Sequence, residues 1–334
     1  MKFGETFMEY LHGEQEQFLG TCSHVEYKRL KQVLKRCRTC KSLHQACDAG
    51  QGEEADGTPR LCRCEGCPVC DQMFFSELMK EASEIAGCFN TRVRHLLHLL
   101  VATGIQRYIQ CFRPCFKGDR QVLLEEGKML MEYVAMNTIA IRKILKKYDK
   151  VHGSVNGEHF RSKLRAEHIE LLQSPWLIEL GAFYLNFRGL DAEECAECST
   201  HFSFHFDETK FALIMSLAGS IKLEYDLTCA ICLDIVFNPY ALGCGHLFCK
   251  SCACSAASVM ICEGLKVASE DAKCPVCREA GVYGNSVHMS VLNLLLKKRC
   301  KDYWEERSSA EREEMMKQSK EFWDRQTKYM IGYF

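Results

Sequence analysis

The sequence predicts a mainly α chain: an antiparallel bundle of long helices in the N-terminal half, a small metal-ordered α+β domain, and a C-terminal helix. Three observations carry this. Apolar residues recur at spacings of three and four through the first half; only six of 334 residues are proline; and 23 are cysteine, nine of them between residues 229 and 277.

With 47% hydrophobic residues the chain can bury real cores, which excludes disorder throughout, and its length suits two domains. A net charge of −1 argues against a globally basic nucleic-acid binder but leaves room for a local basic face. The N-terminal MKFGETFMEYLHGEQEQ has neither a long apolar run nor a small-residue cleavage site, so no signal peptide is expected. Phe211 to Gly219, the longest apolar stretch near the middle, is roughly half a membrane span. A cytoplasmic or nuclear chain with reduced thiols follows, and its cysteines point to metal rather than disulfides.

A short amphipathic helix is expected in Tyr27 to Lys35, and a Gly-rich acidic loop in Asp48 to Gly66. Phe74, Leu78, Ala82, Ile85, Phe89, Val93, Leu96 and Leu100 draw one face of a long helix; Leu130, Val134, Ile141, Ile144 and Tyr148 draw a second. Short alternating and aromatic runs from Glu193 to Asp226 suit one or two strands or a linker. A helix resumes at Val291 and runs to Trp323, apolar first and highly charged later.

The strongest signal is four close pairs: Cys229 and Cys232, Cys244 and His246, Cys249 and Cys252, Cys274 and Cys277. Eight soft or borderline ligands complete two tetrahedral zinc sites, and zinc would supply on the order of 10 kcal/mol per site toward ordering this segment. Their order, with Cys244-Gly-His246 and a terminal Cys274-Pro-Val-Cys277, resembles a RING finger with seven cysteines and one histidine. That resemblance implies a cross-brace: Cys229, Cys232, Cys249 and Cys252 on one ion, Cys244, His246, Cys274 and Cys277 on the other. Cys254 is close enough to Cys252 to stand as an alternative ligand. The resemblance also implies a ubiquitin ligase without a covalent intermediate, which catalyses by positioning a charged conjugating enzyme. Ile231, Pro275 and Arg278 match the family's docking surface, Arg278 where active members carry a basic bridging residue.

The second signal is basic. Lys143, Lys146, Lys147 and Lys150 share one helical face, and Lys28, Arg29, Lys31 and Lys35 crowd the short helix before it. By composition alone this is a solvated face or a polyanion site. MKFG, YKRLKQVLK and KILKKYDK are similar to an SPX domain, whose basic surface binds inositol polyphosphates and pyrophosphates. Carried over, Tyr27, Lys31 and Lys147 match the phosphate-binding cluster, Lys143, Lys146 and Lys150 the adjoining lysine surface, and Lys2 lies near the ligand.

Together with LLQSPWLIEL, CACSAASV and CKDYWEER, the two domains resemble the plant SPX–RING ubiquitin ligases of the nitrogen limitation adaptation family. The expected organisation is an SPX domain over 1–165, a connecting segment over 166–222, a RING over 223–280 and a C-terminal helical extension over 281–334. The resemblance implies a ubiquitin-conjugating enzyme and ubiquitin as partners and membrane phosphate transporters as substrates, linking phosphate and nitrogen nutrition. It implies a cytoplasmic ligase recruited to the plasma membrane by its substrates, with a nuclear pool; neither nucleic acid nor a transmembrane segment is expected. The competing reading is a non-catalytic phosphate-sensing adaptor with a purely structural zinc domain. Cys62, Cys64, Cys67 and Cys70 form a strained set for one ion, and Cys195, Cys198, His201 and His205 a better-spaced one; both are left as reduced side chains. Tyr303, Trp304, Phe322 and Trp323 form an aromatic stripe on the last helix, expected to pack within the chain.

Overall fold

The computed structural model describes residues 3–12, 22–35, 68–110, 117–188, 202–207, 209–217 and 221–331. They divide into two compact units, Met1–Gln173 and Ser174–Phe334.

The first unit is helical. Its elements are α1 (Phe3–Leu11), α2 (27–35), α3 (Pro68–Gln110), α4 (Lys117–His152), α5 (Asn156–Ala166) and a 3-10 turn at Leu171–Gln173. The stripe read from Phe74 to Leu96 is buried along α3, as are Leu130, Val134, Ile144 and Tyr148 on α4; Ile141 is half-buried. The Tyr148 hydroxyl donates to Asp71, so the end of α4 meets the start of α3 and the pair is antiparallel. Phe74 stacks on Tyr148 at 4.8 Å and Phe75 on Phe160 at 4.9 Å, which brings α5 onto the same core. Asp149 Oδ1 accepts the Gly157 N–H at 2.7 Å, satisfying a donor at the start of α5. A Cβ on Gly157 would lie 2.7 Å from Asp149 Oδ2 and 2.8 Å from the Leu145 carbonyl oxygen, so this turn requires glycine. Buried Asn137 on α4 accepts the Val25 N–H at 3.0 Å, anchoring the lead-in to α2.

The second unit opens with α6 (Pro175–Arg188) and a sheet of β1 (Phe202–Asp207), β2 (Ala212–Leu217) and β3 (Ile221–Asp226). All pairings are antiparallel, with Phe204 opposite Met215 and Met215 opposite Leu223. Three strands form where the sequence suggested one or two; Leu213 and Met215 are buried on the middle one. There follow β4 (Pro239–Ala241), β5 (Leu247–Cys249), α7 (Lys250–Ala256), β6 (Val287–His288), α8 (Ser290–Arg299) and α9 (Lys301–Ile331). Strand β4 is central in a second antiparallel sheet, between β5 and β6.

The helix expected from Val291 to Trp323 is two helices. Cys300 leaves helical geometry at φ −122° and ψ 57°, and α9 sets off in a new direction. The Trp304 indole N–H donates to Asn293 Oδ1 at 3.3 Å, and Lys297 Nζ lies 4.4 Å from its ring, which fixes the corner. Helical propensity on both sides gives no sign of this break; packing imposes it.

No helix among the described residues is long and apolar enough to cross a membrane.

Candidate functional site

The first and last cysteine pairs fold into the same local structure. Leu233 N–H donates to Cys229 O, and Cys229 N–H to Asp234 O, at 2.9 and 2.8 Å. The equivalent bonds run from Arg278 to Cys274 and from Cys274 to Glu279, each at 2.9 Å. Single bridges, Thr228 with Ile235 and Lys273 with Ala280, close both turns. The turn requires a positive φ at the fourth residue after the leading cysteine, and Leu233 (φ 62°) and Arg278 (φ 62°) take it despite their side chains. Each turn aims two sulfurs inward and leaves the residues between them at the surface.

The other two pairs come from the β4–β5 hairpin. Leu242 N–H donates to His246 O at 3.0 Å, with Gly245 at φ 82°, so Cys244 and His246 project from one tight turn. Cys249 ends β5 and caps α7, placing Cys252 in the first turn of that helix. The eight donors converge in two groups. Cys229, Cys232, Cys249 and Cys252 form one, and Cys244, His246, Cys274 and Cys277 the other, with the ligand atoms of each group all within 4.8 Å of one another. Donors from the first and third pairs therefore share one group, and those from the second and fourth share the other.

Both groups fit zinc. Their donors are thiols and one imidazole, with no carboxylate, and four close on a single point. His246 turns Nδ1 inward, 3.4 Å from Cys244 Sγ and 3.7 Å from Cys274 Sγ. The protons in the all-cysteine group are contested. Cys229 is pushed far down by thiols that donate to it, first Cys249 and then Cys252. Donating to Cys229 pushes Cys249 far up and Cys252 up to about 12. Four thiols this close and this buried ionise together only around a cation. Cys254 is buried and outside both groups, its thiol pushed up to about 11 mainly by burial, so it is not an alternative ligand.

Of the residues expected to dock a conjugating enzyme, Ile231 is 39% exposed between the first two expected ligands, and Pro275 and Arg278 are exposed around the last. Leu233, 76% exposed, and Val276 add to the apolar tips of the two turns. Leu233 stands four residues after Cys229 just as Arg278 stands four after Cys274.

In the helical unit, Phe3 gathers part of the basic face. Its ring meets Tyr27 edge-on at 5.4 Å, and Lys143 Nζ lies 4.1 Å from its centroid. Elements α1, α2 and α4 thus meet at Phe3. Lys31, Lys143, Lys146 and Lys150 are exposed; Tyr27 and Lys147 are half-buried, and burial raises the Tyr27 hydroxyl so that it stays a donor. Lys2 lies outside the described residues, as do Cys62, Cys64, Cys67, Cys195, Cys198, His201 and the side chain of Cys70. Cys22 and Cys88, for which the sequence predicts reduced thiols, are joined as a disulfide between the lead-in to α2 and α3.

The side chains that hold the zinc domain together had no motif. Glu179 on α6 accepts N–H groups of Val291 (3.0 Å) and Leu292 (3.3 Å) at the start of α8. Asn186 donates to the Val291 carbonyl at 3.0 Å. Both are buried polar residues in a largely apolar helix, held by the Glu179 carboxyl oxygens and the Asn186 amide NH₂. In the aromatic stripe, Tyr303 and Trp304 pack inward, whereas Trp323 is 65% exposed.

Residues 229–270 match the RING-type zinc-finger family, a span that contains three of the four ligand pairs. The whole chain is 60% identical, over 100% of both lengths, to the probable E3 ubiquitin-protein ligase BAH1-like of Arabidopsis thaliana. It is 56% identical to the probable E3 ubiquitin-protein ligase BAH1-like 1 of Oryza sativa subsp. indica, covering 99% of this chain and 100% of that one. Identity to the E3 ubiquitin-protein ligase NLA of Arabidopsis thaliana is 43%, over 99% and 100% of the respective chains. With two zinc-type clusters built into a RING-type finger and full-length identity to these proteins, the chain belongs to the BAH1-like and NLA family of plant RING-type E3 ubiquitin-protein ligases.

Proposed function

We propose that this chain transfers ubiquitin from a charged conjugating enzyme to substrate lysines, under control of an N-terminal domain that senses inositol polyphosphates. The observation that carries the first part is the pair of matching turns. One presents Ile231 and Leu233, the other Pro275, Val276 and Arg278, on a frame held by two four-ligand clusters. When bound, zinc supplies the rigidity of that frame. Apolar tips of this kind suit the conjugating enzyme, and the fork of Arg278 suits carbonyl acceptors on enzyme and ubiquitin together. The neutral substrate amine attacks the thioester carbonyl, the C–S bond breaks as the conjugating enzyme's cysteine leaves as thiolate, the nitrogen gives up a proton to solvent, and an isopeptide bond forms. This chain makes no covalent bond; its contribution is the orientation of the thioester.

The sensing part is supported by the cationic face around Phe3. Tyr27, Lys31, Lys143, Lys146, Lys147 and Lys150, with Lys2, are proposed to hold an inositol polyphosphate or pyrophosphate, the ammonium groups as point charges and the phenol as a directional donor. This reads the helical unit as an SPX domain. Membrane phosphate transporters are the proposed substrates, and phosphate and nitrogen homeostasis the proposed role. Action is placed at the cytoplasmic side of the plasma membrane, with a nuclear pool.

The test is chain building by the full-length protein with a panel of conjugating enzymes. Arg278→Gly is the informative variant, because glycine accepts φ 62° and leaves the turn intact while removing the fork. Wild type should build chains, and Arg278→Gly and Ile231→Ala should lose most of that activity while keeping two zinc ions. No chains with any enzyme, or full activity in both variants, overturns the ligase reading in favour of an adaptor. For the sensor, calorimetry with inositol hexakisphosphate should show binding that Lys31→Ala and Lys147→Ala abolish. Equal affinity for a DNA duplex would overturn it.

A further inference from the structure

Helix α9 returns to the zinc domain along one face. The Tyr303 hydroxyl donates to Ile235 O at 2.6 Å, and the Trp304 ring lies 5.5 Å from Phe237. Asn238 Nδ2 donates to Glu311 Oε1 at 3.0 Å, and the Ile261 N–H to Gln318 Oε1 at 3.1 Å. Between these anchors, one guanidinium reaches the all-cysteine cluster: Arg307 Nη2 lies 4.0 Å from both Cys232 Sγ and Cys249 Sγ. Its Nε is buried without a hydrogen-bond partner, while the side chain as a whole is half-buried.

The two clusters differ in charge. Around Zn²⁺, the four thiolates of the first leave a formal charge of −2, whereas three thiolates and a neutral imidazole leave −1. The more negative cluster is the one that meets a fixed cation. A guanidinium donating to thiolate sulfur withdraws electron density from it, weakening the sulfur as a base and nucleophile while leaving its bond to zinc in place.

We propose that Arg307 is a positioning residue for the all-cysteine zinc site, offsetting the thiolate charge and shielding Cys232 and Cys249 from protons, electrophiles and competing chelators. Helix α9 is thereby part of the zinc domain rather than an appendage to it. The inference rests on the zinc reading of the two clusters and goes beyond it.

The experiment uses the full chain purified with zinc, an excess of a chromogenic chelator, and iodoacetamide labelling read by peptide mass spectrometry. Arg307→Met keeps the aliphatic stem and loses the charge, Arg307→Lys keeps the charge, and Arg312→Met, one turn further on and exposed, is the control. In Arg307→Met one of the two zinc ions should leave about tenfold faster, the low end of what losing an outer partner costs. The newly labelled cysteines should be Cys229, Cys232, Cys249 and Cys252, with Cys244, Cys274 and Cys277 at the wild-type rate. Arg307→Lys should recover much of the loss, and Arg312→Met should match wild type. Unchanged release in Arg307→Met overturns the proposal, as does equal acceleration at both sites without recovery by lysine, which would mark a packing role. Wild type offers a check that needs no variant. Cys232 and Cys252 are both half-buried, and Cys232, which faces Arg307, should label more slowly; equal or faster labelling also overturns the proposal. Fewer than two zinc ions in wild type would instead refute the zinc reading itself.

Discussion

The joint between α6 and α8 makes the most quantitative prediction. Glu179 is 1% exposed, and its carboxyl group caps the first turn of α8 through the Val291 and Leu292 N–H groups, both of which reach Oε2. Burial pushes its carboxyl from the ordinary 4.5 up to about 8, against the pull of those two donors. The folded chain therefore keeps a proton between those values that the unfolded chain has released. Stability falls as pH rises through that window and levels off above the folded value. The slope is about 1.4 kcal/mol per pH unit, so pH 6.5 to 8 costs about 2 kcal/mol. Glu179→Gln retains an oxygen for the 3.0 Å bond and does not titrate. Any offset from its amide NH₂ is the same at every pH. Calorimetric melting of the full chain, with wild type and variant compared at each pH, cancels the titration of every other group. For a unit the size of Ser174–Phe334, 2 kcal/mol is roughly 4–8 °C. The melting temperature of Glu179→Gln should gain that much on wild type between pH 6.5 and 8, then hold a constant lead. A gap independent of pH, or one that widens in favour of wild type, would refute the reasoning.

Three further outcomes are expected. Asn137→Ala leaves the Val25 N–H buried without its acceptor and should destabilise the helical unit by about 1–3 kcal/mol in a urea titration; a change under about 0.5 kcal/mol would contradict the assignment. Leu233→Gly relieves a side chain held at φ 62° and should hold its zinc at least as firmly as wild type, stabilising by up to about 1 kcal/mol, whereas Leu233→Val should loosen it. Stripping zinc with a strong chelator should shift Trp304 emission to the red, because the Phe237 surface it packs on depends on the clusters, while far-ultraviolet circular dichroism retains most of its helical signal. Unchanged emission would mean that this region keeps its packing without metal.

The parts legible in the sequence are those in which neighbours along the chain carry the physics. The α3 stripe from Phe74 to Leu96 was readable because helical periodicity puts those residues on one face, and all of that face is buried. The ligand pairs were readable because a tight turn needs its two donors two or three residues apart. The third strand and the break at Cys300 were not, since short strands and helix corners are settled by what they pack against.

Sequence alone determined which eight side chains gather into two zinc-type clusters and which faces of α3 and α4 go inward, because spacing and periodicity are local properties. Tertiary structure decided how α6, α8 and α9 frame the zinc domain. Glu179 and Val291, or Arg307 and Cys249, lie too far apart in the chain for any motif to link them. A lone buried carboxylate and a lone arginine look like surface charges until the fold removes their water and supplies the partner.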